Sequence, residues 1–286
     1  MKSNKVVSII GSGPSGLECA RIVAEKTGHV TVYEAMPKFG GALRYGIPGF
    51  RLRKHTIDRK IDNLKELGVK FVNNCRIGKD VSFDELKGKS DVVFLALGAN
   101  VPKKLEIEGE NQDFVLSSIE FLEEYNSGIE LDFTGKVVCV IGAGNVAMDA
   151  ARVAVKLNAK AVKIVYRRTM EEAPCNDVEL INAREEGIEF LEKHTPTKIL
   201  DGVLVCNETT EIKTDIIITA IGQNPEKIID NRIKVDECGR IVVDENMQTS
   251  LAGVYAGGDV VRGPETIRQA ILDGGVAGRD ILKALC

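Results

Sequence analysis

The chain has 286 residues and a formal net charge of −4, with 44% hydrophobic and 28% charged residues. This length fits one large domain or two of ordinary size, and the composition is typical of a globular protein. The negative charge argues against a general affinity for nucleic acid, and no apolar run is long enough to predict a membrane span. The first residues do not resemble a signal peptide, so we expect a cytoplasmic protein.

The first predicted elements are a strand, a glycine-rich turn and a helix. The apolar run 6–10 leads into the turn 11–16, a helix is predicted over about 14–26, and the next strand ends at Glu34. Backbone N–H groups in such a turn bind a pyrophosphate at the helix N-terminus, and a terminal acid binds ribose hydroxyls. The residues predicted to form this first dinucleotide site are Gly11, Gly13, Pro14, Ser15, Gly16 and Glu34.

The next segment, residues 35–55, is irregular and rich in Gly and Pro. A connection of this length inside a compact domain is usually functional. Beyond it the sequence predicts a helix over 54–67, strands over 69–72 and 91–98, and a helix over 117–125. The strand 91–98 is almost entirely apolar, as a buried parallel strand should be.

A second strand, glycine-rich turn and helix begin near residue 136. The apolar run 137–141 enters a turn that starts at Gly142 and has Ala147 at its third small position. The following strand ends in two arginines, Arg167 and Arg168, where the first unit has an acid. Guanidinium groups attract a 2′-phosphate, which favours NADP(H) over NAD(H). The alternative is an exposed surface pair. The predicted second-site residues are Ala143, Gly144, Asn145, Val146, Arg167 and Arg168.

The remaining sequence contains a weak internal repeat. A helix is predicted over 175–187, followed by strands over 188–191, 202–205 and 216–222. The last of these strands ends at Gly222, as the strand 91–98 ends at Gly98, and both glycines are predicted to border a nucleotide. The repeat predicts two nucleotide-binding domains of related design, one inserted into the other.

The C-terminal region decides which cofactor the first site takes. A strand over 254–256 runs into Gly257-Gly258-Asp259, and a helix is predicted over 265–283. The Asp259 carboxylate can accept a hydrogen bond from a ribityl hydroxyl, and the helix N-terminus can face an isoalloxazine carbonyl. This arrangement predicts FAD, with an ordinary turn aspartate as the alternative. The residues assigned to it are Gly258, Asp259, Thr266 and Ile267.

The seven cysteines are spread along the chain, and no two lie within four residues of each other. This spacing argues against a local zinc or iron–sulfur motif and provides no C-x-x-C redox pair. We expect most of them to be small buried residues; Cys175, in a polar region, is the candidate for reactivity. No metal ligand is predicted. No catalytic acid or base is predicted either, because hydride transfer between nicotinamide and flavin needs none.

These features together resemble the flavoproteins with two dinucleotide-binding domains, above all the small (beta) subunit of NADPH-dependent glutamate synthase. Similar modules occur in NADH-dependent ferredoxin:NADP oxidoreductase and in dihydropyrimidine dehydrogenase. The segments that carry the resemblance are 40–41, 45–48, 50–52, 142–152, 166–168, 185–187, 220–223 and 256–260.

The resemblance implies an α/β fold with two Rossmann-like, three-layer domains of the glutathione and thioredoxin reductase type. It places FAD on residues 1–108 and 245–286 and NADPH on the inserted residues 109–244. It also implies that Gly41, Leu43 and Arg51 serve the first site, with Leu43 and Arg51 near the flavin and its phosphates. The backbone around Ile77 would meet the adenine, and Gly222 would lie on the nicotinamide side.

The function implied is transfer of a hydride from NADPH to FAD, with electrons passed to an iron–sulfur protein or a larger catalytic subunit, in either direction. The cysteine-rich cluster domain of the family has no counterpart in this sequence, so we expect the clusters on another chain or on ferredoxin. Two alternatives are a stand-alone NAD(P)H oxidase or diaphorase, and a non-catalytic FAD-binding regulatory subunit.

Two segments depart from the family pattern. Arg53 stands where the family usually has Pro, and Glu172-Ala173-Pro174-Cys175 replaces Glu-Met-Pro-Ala. The second departure lies close to the expected phosphates of the nicotinamide nucleotide, so contacts there are expected to differ from those of the family.

Overall fold

The computed structural model describes residues 3–226 and 229–285. The chain forms two compact units. The first consists of Met1–Arg44, Leu52–Val101 and Gln223–Cys286, and the second of Tyr45–Arg51 and Pro102–Gly222. The second unit is therefore inserted into the first, with boundaries at 101/102 and 222/223 where the sequence suggested 108/109 and 244/245. The short segment 45–51, expected in the first domain, belongs to the second unit.

The strands, in chain order, are β1 Ser3–Ile10, β2 Thr27–Tyr33, β3 Lys70–Val72, β4 Val92–Leu95, β5 Val101–Pro102, β6 Val115–Ser117, β7 Val137–Ile141, β8 Ala161–Tyr166, β9 Glu189–Glu192, β10 Pro196–Leu200, β11 Val203–Cys206, β12 Thr210–Lys213, β13 Ile216–Thr219, β14 Gln223–Asn224 and β15 Val254–Ala256. The α-helices are α1 Pro14–Ala24, α2 Ala42–Tyr45, α3 His55–Glu66, α4 Phe83–Gly88, α5 Ser118–Ser127, α6 Asn145–Lys156, α7 Asp177–Glu185, α8 Asp259–Arg262 and α9 Ile267–Leu285; Met170–Glu172 form a 3-10 helix.

The first unit contains a five-stranded parallel sheet in the order β15-β4-β1-β2-β3. Ile9 in the central strand pairs with Val32 on one side and with Phe94 on the other, and all three are fully buried. Strands buried on both faces explain the nearly continuous apolar runs of the sequence. Helices α1 and α9 are in close contact. Gly274 of α9 lies so near to α1 that a Cβ on it would be 2.1 Å from the Ser15 carbonyl oxygen.

The second unit repeats this design. Its five parallel strands follow the order β6-β13-β7-β8-β9, with β7 in the place that β1 occupies in the first sheet. Helix α6 buries its alanine- and valine-rich face in the core of the unit, together with Phe121 and Phe133. An antiparallel sheet of β10, β11 and β12 lies in sequence between β9 and β13.

The predicted internal repeat is thus present as two sheets of the same strand order. Most successive strands of each sheet are joined by a helical crossover, which parallel pairing requires. Within the described part of the chain, no helix has the length and apolarity needed to cross a membrane.

Candidate functional sites

The first glycine turn is closed by backbone contacts that exclude side chains. Gly11 has φ +103°, and its N–H donates to the Tyr33 carbonyl at 2.8 Å. A Cβ at Gly11 would lie 2.2 Å from the Ala96 carbonyl oxygen, and a Cβ at Gly16 would lie 2.1 Å from the Gly11 carbonyl oxygen. Gly11 and Gly16 therefore fix the turn between β1, β4 and α1.

Gly13 has a different role. It precedes Pro14 at the start of α1 with φ −68° and ψ −179°, a conformation open to any residue. A Cβ there would have no atom of the described chain within 4 Å. Gly41, at φ +51°, lies close to Gly13 on one side, since a Cβ added to Gly41 would be 2.9 Å from the Gly13 Cα. The free space beside Gly13 is what a pyrophosphate needs to reach the backbone N–H groups.

Glu34 is buried beside this turn and holds it in place. Its carboxylate accepts hydrogen bonds from the Ser12 N–H at 3.1 Å, from the Ser12 hydroxyl and from the Met36 N–H at 3.0 Å. The Ser12 hydroxyl oxygen in turn accepts from the Gly40 N–H at 2.8 Å. Glu34 therefore links the glycine turn to the Gly/Pro-rich segment, a contact that the sequence analysis missed.

Ser15 supplies an unpaired donor at the N-terminus of α1. Its hydroxyl is buried and has no hydrogen-bond partner in the described part of the chain. A buried polar group without a partner is costly, and at a helix N-terminus the natural partner is an anion. Two features of the first site therefore fit a bound diphosphate: the space beside Gly13 and the Ser15 hydroxyl, which has no hydrogen-bond partner in the described residues.

The Gly258–Asp259 turn lies against the same helix N-terminus. Gly258 has φ +80°, and a Cβ there would lie 3.1 Å from the Ser15 Cβ. Asp259 begins α8, and burial raises the pKa of its carboxyl to about 6. The fully buried Asp273 accepts from the Gly258 N–H at 3.1 Å and pairs with Arg262 at 2.8 Å. Asp273, which fixes this turn, was not found from the sequence.

The other residues predicted for the first site also belong to the first unit. Thr266 precedes α9, and its hydroxyl accepts from the Gln269 N–H at 3.2 Å; Ile267 is the exposed first residue of that helix. Ile77 is buried, Gly98 has φ +76°, and Leu43 packs against the core of the unit. The structure brings these elements into one unit, and their contacts with a cofactor stay a prediction.

The second glycine turn has two backbone contacts that correspond to those of the first turn. The Gly142 N–H donates to the Val165 carbonyl at 3.0 Å, and a Cβ at Gly142 would lie 2.4 Å from the Ala220 carbonyl oxygen. Gly144 precedes α6 with φ −82° and ψ 176°, and the nearest atom to a Cβ there would be 4.0 Å away. Ala143 is buried, and so is Ala147. This turn also leaves room for a diphosphate.

Further predicted residues surround this turn. The Asn145 side-chain oxygen accepts from the Asn176 N–H at 2.9 Å, which ties the start of α6 to the start of α7. Val146 is half-buried beside it. Gly222 has φ +109°, and its carbonyl accepts from the Lys103 N–H at 3.1 Å.

Arg167 and Arg168 follow β8 directly, and both are exposed. The Arg168 carbonyl accepts from the Lys193 N–H at 3.0 Å, which places the residue after β9 beside the arginine pair. Glu172 accepts from the Thr169 N–H at 3.1 Å and from the Thr169 hydroxyl at 3.0 Å. These two bonds, with Arg168 and Lys193 nearby, hold the pKa of Glu172 below its usual value.

Arg51, which the resemblance implies for the first site, makes its contacts within the second unit, and its role at the cofactor stays a prediction. It belongs to the second unit, where it pairs with Asp149 at 2.6 Å and with Glu179 at 3.0 Å. Arg152 pairs with the same Glu179 at 2.6 Å and with Glu186 at 2.9 Å. The Arg51 Nη1 atom faces Asp149 and its Nε atom faces Glu179.

Burial is the largest influence on the pKa of Asp149 in this network. It raises the pKa of the carboxyl to about 7, although Arg51 acts in the opposite direction. One of its two oxygens has no hydrogen-bond partner in the described residues.

Burial governs the chemistry of several described cysteines. Burial raises the thiol pKa of Cys175, which is half-buried. It also raises the pKa of the fully buried Cys19 and Cys139. A raised pKa lowers the thiolate fraction, so the structure gives no support for Cys175 as a reactive group. Cys286 lies outside the described residues. No group of three or more metal-ligating side chains is found within 3–226 and 229–285.

The sequence matches the family described as pyridine nucleotide-disulphide oxidoreductases over residues 5–274. A putative glutamate synthase [NADPH] small chain from Cereibacter sphaeroides is 36% identical, over 98% of this chain and 76% of that protein. The beta subunit of an NADP(+)-dependent formate dehydrogenase from Moorella thermoacetica is 34% identical, over 98% of this chain and 44% of the subunit. The chain thus spans less than half of that relative.

Solved structures show the same fold. FprA from Mycobacterium tuberculosis has a TM-score of 0.84 at 19% identity, covering 99% of this chain and 85% of FprA. The thioredoxin reductase of T. acidophilum has a TM-score of 0.78 at 22% identity, covering 98% of both chains. The predicted fold class and the resemblance to glutamate synthase small subunits are confirmed. The chain belongs to the pyridine nucleotide-disulphide oxidoreductase family and is an oxidoreductase whose cofactors are FAD and a nicotinamide dinucleotide.

Proposed function

We propose that the first unit holds FAD, that the second unit holds NADPH, and that a hydride passes from NADPH to the flavin. One observation carries this proposal. The same backbone turn occurs twice, followed once by the buried Glu34 and once by the exposed pair Arg167 and Arg168. A carboxylate binds ribose hydroxyls and repels a 2′-phosphate, whereas guanidinium groups attract it.

At the first site the chain would bind the cofactor mainly through its backbone. The N–H groups around Gly13 and the free Ser15 hydroxyl would donate to the diphosphate, with the α1 N-terminus adding its positive dipole. Glu34 would accept from the ribose while it keeps its bonds to Ser12 and Met36. Asp259 would accept from a ribityl hydroxyl.

At the second site Gly144, Asn145 and Val146 would present the N-terminus of α6 to the NADPH diphosphate. Arg167 and Arg168 would bind the 2′-phosphate. FAD supplies the chemistry, because it accepts two electrons as a hydride and can release them one at a time. The chain's own contribution is to bind and orient the two nucleotides.

We further propose that the electrons are exchanged with an iron–sulfur protein or with a larger catalytic subunit. The support comes from several relatives that are named as a beta subunit or a small chain. They include the beta subunit of NADPH-Fe(3+) oxidoreductase from Geobacter sulfurreducens, 33% identical over 99% of this chain and 50% of that protein. Anaerobic purification of the chain from its native host tests this. A co-purifying iron–sulfur protein is expected, and a chain that is isolated alone would contradict the proposal.

The substitution Arg167→Glu tests the nucleotide assignment. It replaces attraction of a 2′-phosphate by repulsion, and a hydrogen bond between charged groups is worth roughly 1.5–3 kcal/mol. We expect NADP⁺ to bind about 10–100-fold more weakly, with NAD⁺ binding nearly unchanged. Calorimetric titration of the FAD-loaded protein measures both. Lys160→Glu, at the opposite end of β8, is the matched charge-reversal control. Equal weakening of both nucleotides by Arg167→Glu would refute the assignment.

A further inference from the structure

The residues that follow strand β9 are also basic, and they lie beside the arginine pair. Strand β9 is hydrogen-bonded to β8, with Tyr166 opposite Glu192, so the two strands end at the same edge of the sheet. The next two residues, Lys193 and His194, continue this contact. The Lys193 N–H donates to the Arg168 carbonyl at 3.0 Å, and the His194 N–H donates to the Tyr166 carbonyl at 2.9 Å. The sequence analysis assigned no role to either residue.

Lys193 has a backbone conformation that lysine rarely adopts. Its φ is +57°, in the left-handed region that favours Gly and Asn. A residue held in such a conformation requires support from its surroundings, and such residues are frequent at ligand sites. The side chain is exposed, so packing does not explain why a lysine occupies this position.

Asn207 supplies the support. It lies in the turn between β11 and β12, and its side-chain amide donates to the Lys193 carbonyl at 2.9 Å. The Asn207 side-chain oxygen accepts from the Thr195 N–H at 3.0 Å, and its own N–H donates to the Thr195 carbonyl at 2.9 Å. The three-stranded antiparallel sheet of the second unit thus fixes the turn 193–195 beside Arg168.

Several charged residues follow β8 and β9 at this edge of the sheet. Hydrogen bonds from Thr169, with Arg168 and Lys193 nearby, hold the pKa of Glu172 below its usual value. The Glu172 carboxylate is itself held by the Thr169 N–H and hydroxyl. This edge therefore carries three cationic residues, Arg167, Arg168 and Lys193, together with the exposed carboxylates of Glu171, Glu172 and Glu192.

We propose that Lys193 is a specificity-determining residue that binds the 2′-phosphate of NADP(H) together with Arg167 and Arg168, and that Asn207 positions it. This inference rests on the proposed NADPH site of the second unit. An ammonium group on a left-handed turn approaches the phosphate from the β9 side, while the guanidinium groups approach from the end of β8. The antiparallel sheet thereby contributes to nucleotide choice without touching the nucleotide.

The test uses the FAD-loaded full chain and the oxidised nucleotides NADP⁺ and NAD⁺, so that binding is measured without turnover. Lys193→Asn removes the charge and keeps a residue that tolerates the left-handed conformation. We expect NADP⁺ binding to weaken by about five- to thirtyfold and NAD⁺ binding to change less than about twofold. Lys193→Arg should retain the preference for NADP⁺.

Two more variants complete the experiment. Asn207→Ala should weaken NADP⁺ selectively, because it releases the turn and leaves the charge in place. Lys160→Asn, an exposed lysine at the other end of β8, is the charge-loss control and should leave both affinities unchanged. Salt should reduce the difference between the wild-type protein and Lys193→Asn, since the missing interaction is ionic.

The outcomes separate this inference from the proposed function. Equal effects of Lys193→Asn on NADP⁺ and NAD⁺, or a change below twofold for both, would overturn the role of Lys193. If Arg167→Glu still abolishes the NADP⁺ preference in that case, the second unit remains the NADPH site. If Arg167→Glu is equally unselective, the NADPH assignment fails as well.

Discussion

At the scale of single residues, the glycines of the first turn separate into two kinds. Gly11 has a positive φ and would place a Cβ 2.2 Å from the Ala96 carbonyl oxygen, so it is needed for the fold. Gly13 has an ordinary backbone conformation and free space around it. A diphosphate bound in that space would leave no room for a side chain at Gly13.

This difference gives a prediction. Gly13→Ala should leave the melting temperature of the FAD-free protein nearly unchanged but should weaken FAD retention at least about tenfold, because the new methyl group occupies the space of the diphosphate. Gly11→Ala should destabilise the protein by more than about 2 kcal/mol. Thermal unfolding and FAD titration of the apoprotein measure the two effects. Gly28→Ala, an open glycine of β2, is the control. Normal FAD binding by Gly13→Ala would contradict the assignment.

The sequence predicts the glycines and Glu34 because local spacing defines their roles. It does not predict the partners that hold them. Ser12 and Gly40 are 28 residues apart, and Gly258 and Asp273 are 15 apart. Such pairs form only when distant segments pack together, and a single sequence contains no periodic signal for them. Lys193 was missed for the same reason, since its relation to Arg168 depends on strand pairing.

At the scale of elements, the segment 45–51 is attached to helices α6 and α7. Arg51 pairs with Asp149 of α6 and with Glu179 of α7, and Arg152 lies 4.6 Å from the centre of the Phe50 ring. The network places two arginines among three carboxylates, with Glu186 as the third. Burial raises the pKa of Asp149 to about 7, so this attachment depends on pH.

The sign of that dependence follows from linkage. Asp149 binds a proton more tightly in the folded chain than in the unfolded chain, where its pKa is about 3.9. Its protonation therefore stabilises the folded state fully below about pH 4, and this contribution is lost as the pH rises towards about 7. The quantity to compare is the difference in free energy of unfolding between the wild-type protein and Asp149→Asn. This difference, wild type minus variant, should fall by roughly 2–4 kcal/mol between about pH 4 and about pH 7.

Urea unfolding of both proteins between pH 4 and 8 checks this result. Subtraction of the variant removes the contribution of Asp259, whose pKa is raised in the same direction. Asp201→Asn, which changes an exposed carboxylate of the second unit, is the matched control. A difference for Asp149→Asn that is constant, or that grows with pH, would show that its ion pair with Arg51 outweighs burial.

Long, strongly patterned elements are those that the sequence predicts well. Helix α3 was predicted over 54–67 and forms over His55–Glu66, because Ile57, Ile61 and Leu64 share one buried face. The six-residue helix α4 and the strands β10 and β12 were missed. They are short and partly exposed, so their periodicity is weak and tertiary pairing determines them.

At the scale of the whole molecule, the two units are built on one plan. Their central sheets share the order of strands around β1 and β7, and their glycine turns share the same backbone hydrogen bonds. The sequence predicted this duplication and the insertion. Its domain boundaries, 108/109 and 244/245, stay a prediction; the contacts within each unit divide the chain at 101/102 and 222/223. The assignment of one nucleotide to each unit rests on the residues that follow the turns.

Hydrogen exchange of the FAD-loaded protein, with and without NADP⁺, tests that assignment across the chain. NADP⁺ should slow backbone exchange in residues 142–148, 166–170 and 193–195 of the second unit. The diphosphate would accept hydrogen bonds from N–H groups at the start of α6, and the 2′-phosphate would rigidify the turns that carry the arginine pair and Lys193. Residues 11–17 should be unaffected. Protection that appears at 11–17 and not at 142–148 would reverse the assignment.

The central claim is that NADPH bound by this chain reduces FAD bound by the same chain. Anaerobic titration of the FAD-loaded protein with NADPH, followed by the visible absorbance of the flavin, tests it directly. The account predicts that about one equivalent of NADPH bleaches the flavin and that NADH requires at least about tenfold higher concentrations. A flavin that stays oxidised while NADPH is bound would contradict it.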